Sequence, residues 1–212
     1  MTSKTTNHED GRESRISAQR KREICMAAKQ VFLEKGYNHT TMEDVIAAVA
    51  MSKGGVYYYY KSTSEILRDL CMKYGMENQY KTSQKIIEDC AGLSPEDLAV
   101  ELTVYKIFGG DDYKRVFRMF CEASTSDPDL AKLLSEIEEE SYPAFLQYCD
   151  DFNFPQLKCF GTEDFMRFIH LMCVGLNHFP YGDYFMHESD FFRDFFRFYI
   201  RKQLGQEEEP QP

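Results

Sequence analysis

The chain has 212 residues, 43% of them apolar and 15% aromatic, with a formal net charge of −10, which allows one large globular domain or two small ones with a substantial core. No leader pattern and no apolar run long enough to span a bilayer is visible, so the cytoplasm is the expected compartment. Seven cysteines (Cys25, Cys71, Cys90, Cys121, Cys149, Cys159, Cys173) are scattered, odd in number and without a CxxC pair, which argues for reduced, packed thiols instead of a disulfide frame or a zinc site.

A net charge of −10 argues against nucleic acid until it is divided along the chain. Residues 1–75 hold 12 Lys and Arg against 9 Asp and Glu, whereas residues 76–212 hold 13 against 26. Phosphate attraction decays over a Debye length of about 10 Å, so a positive N-terminal end can meet DNA while an acidic body stays out of range.

Residues 1–15 are polar and aperiodic, and read as a disordered arm. From Ser17 a helix is expected, with Ile24, Ala27, Ala28, Val31 and Phe32 on one face and Gly36 as its C-terminal stop. Thr41 caps a second helix whose inner stripe is Met42, Val45, Ile46 and Val49. Ser52 caps a short third helix carrying four consecutive tyrosines, and Ser64 begins a longer one through Tyr74. Ser94-Pro95-Glu96-Asp97 is a strong helix start, and that helix runs to Phe108 before Gly109-Gly110. Further helices are expected over 112–123, from Pro128 toward Asp151, from Thr162 with Phe165, Phe168, Ile169, Met172, Cys173 and Leu176 on one face, and over 188–204. Residues 152–161 read as a loop and 206–212 as a disordered tail. No useful strand alternation occurs. The expected fold is all-α, about nine helices, with a three-helix N-terminal domain over 16–63 and a larger helical domain over 64–205.

The tyrosine helix carries the chemistry. Val56 and Tyr60 are four apart and can face inward together, which leaves Lys53, Tyr57, Tyr58, Tyr59 and Lys61 for the other side. Gly54 and Gly55 in the first turn cost about 1 kcal/mol each relative to alanine, a cost that close backbone approach to a ligand would explain. Tyrosine donates to phosphate and packs its ring on sugar or a thymine methyl. Two short helices joined by a tight turn, the second so equipped, make a helix-turn-helix that enters a DNA major groove. The basic run Arg12, Arg15, Arg20, Lys21, Arg22 reads equally as a phosphate-tracking arm or as a solvated helix start.

The pattern Ala28-x-x-x-Phe32-x-x-x-Gly36-Tyr37, then Thr40-Thr41-Met42-x-x-Val45, then Ser52-x-Gly54-x-Val56-Tyr57-x-Tyr59-Tyr60, then Leu67 resembles the DNA-binding domain of the TetR family of transcriptional regulators over residues 17–63. The resemblance implies that Thr41 holds a phosphate at a helix start and that Ser52, Lys53, Gly54, Gly55, Tyr57, Tyr58, Tyr59 and Lys61 form or flank the recognition helix. It also implies a homodimer on a palindromic double-stranded DNA operator and a small effector bound in the body; no cofactor and no metal is expected from the residues. Three positions depart from the family pattern: Ala50 stands where glycine is usual in the turn, Tyr59-Tyr60 where His-Phe is usual, and Thr63 where a lysine is common.

In such proteins the last two long helices pair across a two-fold axis. Here the final helix has too many aromatics for one stripe, and Phe165, Phe168, Ile169, Phe191, Phe192, Phe195, Phe198 and Tyr199 are the candidate dimer contacts. Tyr105, Phe108, Phe117, Phe120, Tyr142, Phe145, Met166 and Met172 are candidate effector-pocket residues, which suits a largely apolar ligand, with ordinary core the competing reading. No nucleophile motif, phosphate loop or metal-ligand spacing supports an enzyme. The expected function is a ligand-responsive repressor; the alternative is a regulator triggered by cysteine oxidation.

Overall fold

A computed structural model describes the backbone of residues 6–205 and the side chains from residue 15 onward except 173 and 177. Among the described residues every regular element is helical, in eleven α-helices and a few tighter or wider turns. The chain forms two compact units, Met1–Lys73 and Tyr74–Pro212.

The first unit holds α1 (Thr6–Lys35), α2 (Met42–Ala48), α3 (Lys53–Tyr59) and α4 (Thr63–Asp69). Ile24, Ala28, Phe32, Val45, Val56, Ile66 and Leu67 are wholly buried and make its core. Helix α1 begins at Thr6, ahead of Ser17, so residues 6–15 are helical where a disordered arm is expected; charged helix-formers extend a helix already nucleated by its packed half. Residues 1–5 and the expected tail at 206–212 lie outside the described residues. Gly36 ends α1 at φ +80°, a conformation that favours glycine, and its N–H donates to the Phe32 carbonyl at 2.9 Å. The unit does not stop at residue 63. Ser62, not Ser64, caps α4, and α4 delivers Ile66 and Leu67 to the same core.

The second unit holds α5 (Met76–Asp89), α6 (Pro95–Phe108), α7 (Asp112–Ser124), α8 (Pro128–Asp151), α9 (Glu163–His178), α10 (Gly182–His187) and α11 (Phe191–Gln203). Two of these, α5 and α10, exceed the nine helices expected, and Pro155–Phe160 is a 3-10 segment within the expected loop. Helix α6 is the central element: Ala99, Val100 and Val104 are wholly buried, and α5, α9, α10 and α11 pack against it. Side-chain caps set the starts of four helices, with Ser94 accepting from the Asp97 N–H at 3.1 Å, Asp111 from Lys114 at 3.1 Å, Asp127 from Asp129 at 2.9 Å and Thr162 from Phe165 at 3.2 Å.

Helix α11 is bound to α6 by a row of arginines one turn apart. Arg193 donates to both Glu101 oxygens, at 2.6 and 3.0 Å, and to the carbonyls of Phe185, Met186 and Ser189. Arg197 meets Asp97 at 3.0 Å, and Arg201 meets Glu96 at 2.9 Å. The row grades from covered to open, since the Arg193 side chain is 19% exposed and that of Arg201 51%. Loss of a charge-assisted bond costs more when the partner stays covered. We therefore expect Arg193→Met to destabilise the protein by about 2–3 kcal/mol and Arg201→Met by under about 1 kcal/mol, measured by urea unfolding; equal effects would contradict this grading.

Candidate nucleic-acid interface

Helix α2 starts on a reciprocal cap. The Asp44 N–H donates to Thr41 Oγ1 at 3.3 Å, while the Thr41 N–H and hydroxyl both donate to Asp44 Oδ2, at 2.9 and 2.8 Å. Lys35, from the end of α1, also binds Asp44. That ammonium and the Thr41 donors together hold the Asp44 carboxyl down at about 2. The hydroxyl of Thr41 is thus committed to holding α2, although the residue itself is exposed.

The turn to α3 spans residues 49–52 and contains a short bond from the Met51 N–H to the Val49 carbonyl, 2.8 Å. Among the described residues Asn153 is the one non-glycine with positive φ. Ala50 therefore takes an ordinary backbone conformation, and the alanine at this position costs the turn nothing. Ser52 then caps α3 by accepting from the Gly55 N–H at 3.2 Å.

Helix α3 has an anchored side and a presented side. Val56 is wholly buried and Tyr60 nearly so. The Tyr60 hydroxyl donates to Asp69 Oδ2 of α4 at 2.5 Å and lies 3.2 Å from Cys25 Sγ of α1. Lys21 of α1 stands over its ring, 5.3 Å from the centroid. Burial first, then the Asp69 bond, raises the Tyr60 hydroxyl well above the ordinary phenol range, and burial pushes the Cys25 thiol up to about 12. One aromatic therefore ties α3 to both α1 and α4.

On the presented side Tyr58 is 76% exposed and meets Tyr59 edge-to-face, ring centroids 5.0 Å apart. Tyr57 and Tyr59 are half-buried, Lys53 and Gly54 exposed. Lys53 Nζ sits 2.8 Å from Glu43 Oε1 of α2 and 5.8 Å from the Tyr57 ring; the Glu43 bond raises the lysine and lowers the carboxyl. The two glycines differ in kind. A Cβ on Gly54 would meet no atom within 4 Å, whereas one on Gly55 would lie 2.9 Å from Met51 Cγ. Lys61 is exposed, but its ammonium binds the Tyr57 carbonyl and its N–H donates to Glu65 at 2.7 Å. It closes the end of α3, a role for which composition gave no sign. In the basic run, Arg20 pairs with Glu23 at 2.7 Å and Lys21 serves the Tyr60 anchor; the Arg12 side chain lies outside the described residues. Glu43 is the neighbour that sequence reading misses, because its link to Lys53 spans the turn and has no helical spacing.

The body candidates separate by burial. Among the interface set, Phe191, Phe195 and Phe198 are exposed, Phe168 packs on Phe195 at 6.2 Å, and the buried Phe160 is met by Phe165 at a tilt and by Tyr199 in a stack. Phe192 packs on Phe108 at 4.7 Å. Ile169 is a correction: it is buried, facing the core of its own chain. Leu171, which no sequence pattern singles out, is 73% exposed on α9. The pocket set divides by burial. Phe108 and Phe120 are sealed in the core, Tyr142 is 47% exposed, and Tyr105 lies under the Lys114 ammonium, 3.4 Å from its ring centre. Phe117, Phe145, Met166 and Met172 are half-buried at the margin of the core. A cleft of about 340 Å³ between the start of α6 and the end of α11 is lined by none of the eight. Among the described residues no cluster of three metal-ligating side chains occurs, and no helix is long and apolar enough to cross a membrane.

Residues 24–70 match the family model described as bacterial regulatory proteins, tetR family. The uncharacterized HTH-type transcriptional regulator YfiR of Bacillus subtilis (strain 168) is 37% identical over 84 residues, 40% of this chain and 37% of the relative. The HTH-type transcriptional repressor BepR of Brucella suis biovar 1 (strain 1330) is 30% identical over 54 residues, 26% of each chain. The chain thus spans well under half the length of the curated relatives it matches. The solved structure of Salmonella enterica GusR is 16% identical, covers 88% of this chain and 96% of its own, and superposes with a TM-score of 0.57, a likeness of fold. The segment matched by the family model contains the whole of α2, the turn and α3, so residues 24–70 are similar to the DNA-binding region of bacterial regulatory proteins of the tetR family.

Proposed function

We propose that the protein is a homodimeric transcriptional repressor that places α3 in the major groove of a palindromic operator and leaves it when a small, largely apolar effector binds the body. The observation that carries this reading is the division of α3 into two sides. Val56 and Tyr60 fasten it, and Lys53, Gly54 and Tyr58 stand open with Tyr57 and Tyr59 beside them. The open space at Gly54 serves nothing within the chain, and a missing side chain there lets a nucleic-acid backbone come close. Two such helices in a dimer would reach successive major grooves about 34–36 Å apart.

Dimer formation through α9 and α11 is supported by Leu171, Phe191, Phe195 and Phe198, four large apolar side chains left in contact with solvent on these two helices. Effector binding rests on the half-buried Phe117, Phe145, Met166 and Met172. An effector acts only through its differential affinity for the two body states. Against the thiol-triggered alternative stands the burial of two of its cysteines. Burial pushes Cys149 and Cys159 up to about 11, so reactive thiolate at these two is scarce at neutral pH.

Lys53→Ala is expected to weaken binding to a duplex selected by the protein from a random pool and to flatten its salt dependence by about one unit of slope. Tyr57→Ala should cost about 1 kcal/mol of affinity, with the dimer intact by light scattering in both. Unchanged binding in both variants would remove α3 from the interface. Gly54→Ala should raise helix stability by up to about 1 kcal/mol while weakening DNA binding; a variant both more stable and equally tight would show that close approach is not needed there. Phe195→Glu should give a monomer in sedimentation, and a persistent dimer would place the interface elsewhere.

A further inference from the structure

The presented side of α3 has a single described cation within its own length, Lys53, and that cation is already held. Its Nζ lies 2.8 Å from Glu43 Oε1, and both side chains are about two-thirds exposed. Glu43 is the second residue of α2 and takes no part in the Thr41–Asp44 cap, which fixes the start of that helix without it. It packs into no core either. Its one described side-chain partner across the turn is the lysine that the DNA-facing reading needs free.

We infer that Glu43 is an intramolecular competitor for Lys53, standing where a DNA phosphate would stand, so that contact with arbitrary DNA must first break or share the Glu43–Lys53 pair. The inference rests on the placement of α3 at the DNA. Two charge-bearing groups can satisfy one ammonium in turn: the carboxylate in the free protein and the phosphate oxygens in the complex. Because the pair is exposed, the competing interaction is small, comparable to an ordinary surface ion pair. It is nevertheless large enough to matter in non-specific binding, which is built from a few contacts of this size and is governed by counterion release. Where base contacts are made as well, the cost of parting the pair is a smaller share of the total, and Glu43 thereby favours specific sites over random sequence. Asp44, the neighbouring acid, is not equivalent. Its oxygens are taken up by Thr41 and Lys35, and its substitution would loosen α2.

The test is a double-mutant cycle on the full-length protein with a random-sequence duplex about three helical turns long, read by fluorescence anisotropy at several salt concentrations. Glu43→Gln is expected to tighten binding about two- to five-fold at low salt and to steepen the dependence of log K on log salt by about 0.9, one further phosphate contact. In the Lys53→Ala background the same change should give a smaller gain and no added slope. An equal or larger gain without Lys53 would show that Glu43 acts only as a negative charge near DNA, and no gain in either background would show that it does not act at all; either result overturns the inference. Failure of the underlying reading is distinguishable, since Lys53→Ala alone would then leave binding to the selected duplex unchanged as well. Glu43→Ala is the second variant, and matching thermal midpoints for both substitutions verify that α2 remains folded.

Discussion

The Tyr60 anchor is the constraint on which the N-terminal unit depends. A seven-residue helix with two glycines in its first turn has little stability of its own. It holds its place because Val56 enters the core and Tyr60, at its last turn, bonds to Asp69 on α4 beneath the Lys21 ammonium of α1. A buried hydroxyl with a carboxylate acceptor is costly to break, since the carboxylate would be left half-covered without its donor. The aromatic pair at 59–60 also differs from the family's usual His-Phe, and the tyrosine at position 60 supplies a bond that phenylalanine could not make. With α3 tied at that end, its outer side can be given over to Lys53, Gly54 and Tyr58, none of which the fold requires.

The same economy of contacts explains the role of the polar residues around the turn. Thr41, Ser52 and Lys61 all lie at the surface, yet each is engaged at a helix end: Thr41 at the start of α2, Ser52 at the start of α3, Lys61 at the close of α3. They set the angle and register of the two helices. In the free protein the presented side is narrower than a list of polar residues near the turn suggests, and it centres on Lys53, Gly54 and Tyr58 with Tyr57 and Tyr59 at its edges.

Much of this was legible in the chain because the controlling signals are local. Capping residues, the glycine at the end of α1 and the four-residue spacing of Val56 and Tyr60 read directly as helix ends and faces. Other features were hidden for physical reasons. Helix α5 continues from a wide turn at Leu70–Gly75 without a capping side chain, so it has no start signal, and α10 is too short to show a period. The arginine row on α11 is visible as a four-residue repeat, but its acidic partners on α6 lie 92 to 105 residues away. Aromatic richness in 165–199 could not be divided between core and surface from composition. Ile169 and Phe196 turn inward while Phe195 and Leu171 turn out, and helical rotation set by tertiary packing decides which. The pocket residues were the least legible for the same reason.

On the proposed function, α3 meets DNA with one side and its own domain with the other. Side-chain oxidative footprinting, read residue by residue with and without a saturating duplex, tests it most directly. Tyr57, Tyr58 and Lys53 should lose reactivity when DNA is added, while the exposed Tyr142, Tyr181 and Tyr184 of the body keep theirs and Tyr60 stays unreactive throughout. Protection confined to the body, with Tyr58 as reactive in the complex as in the free protein, would contradict the account.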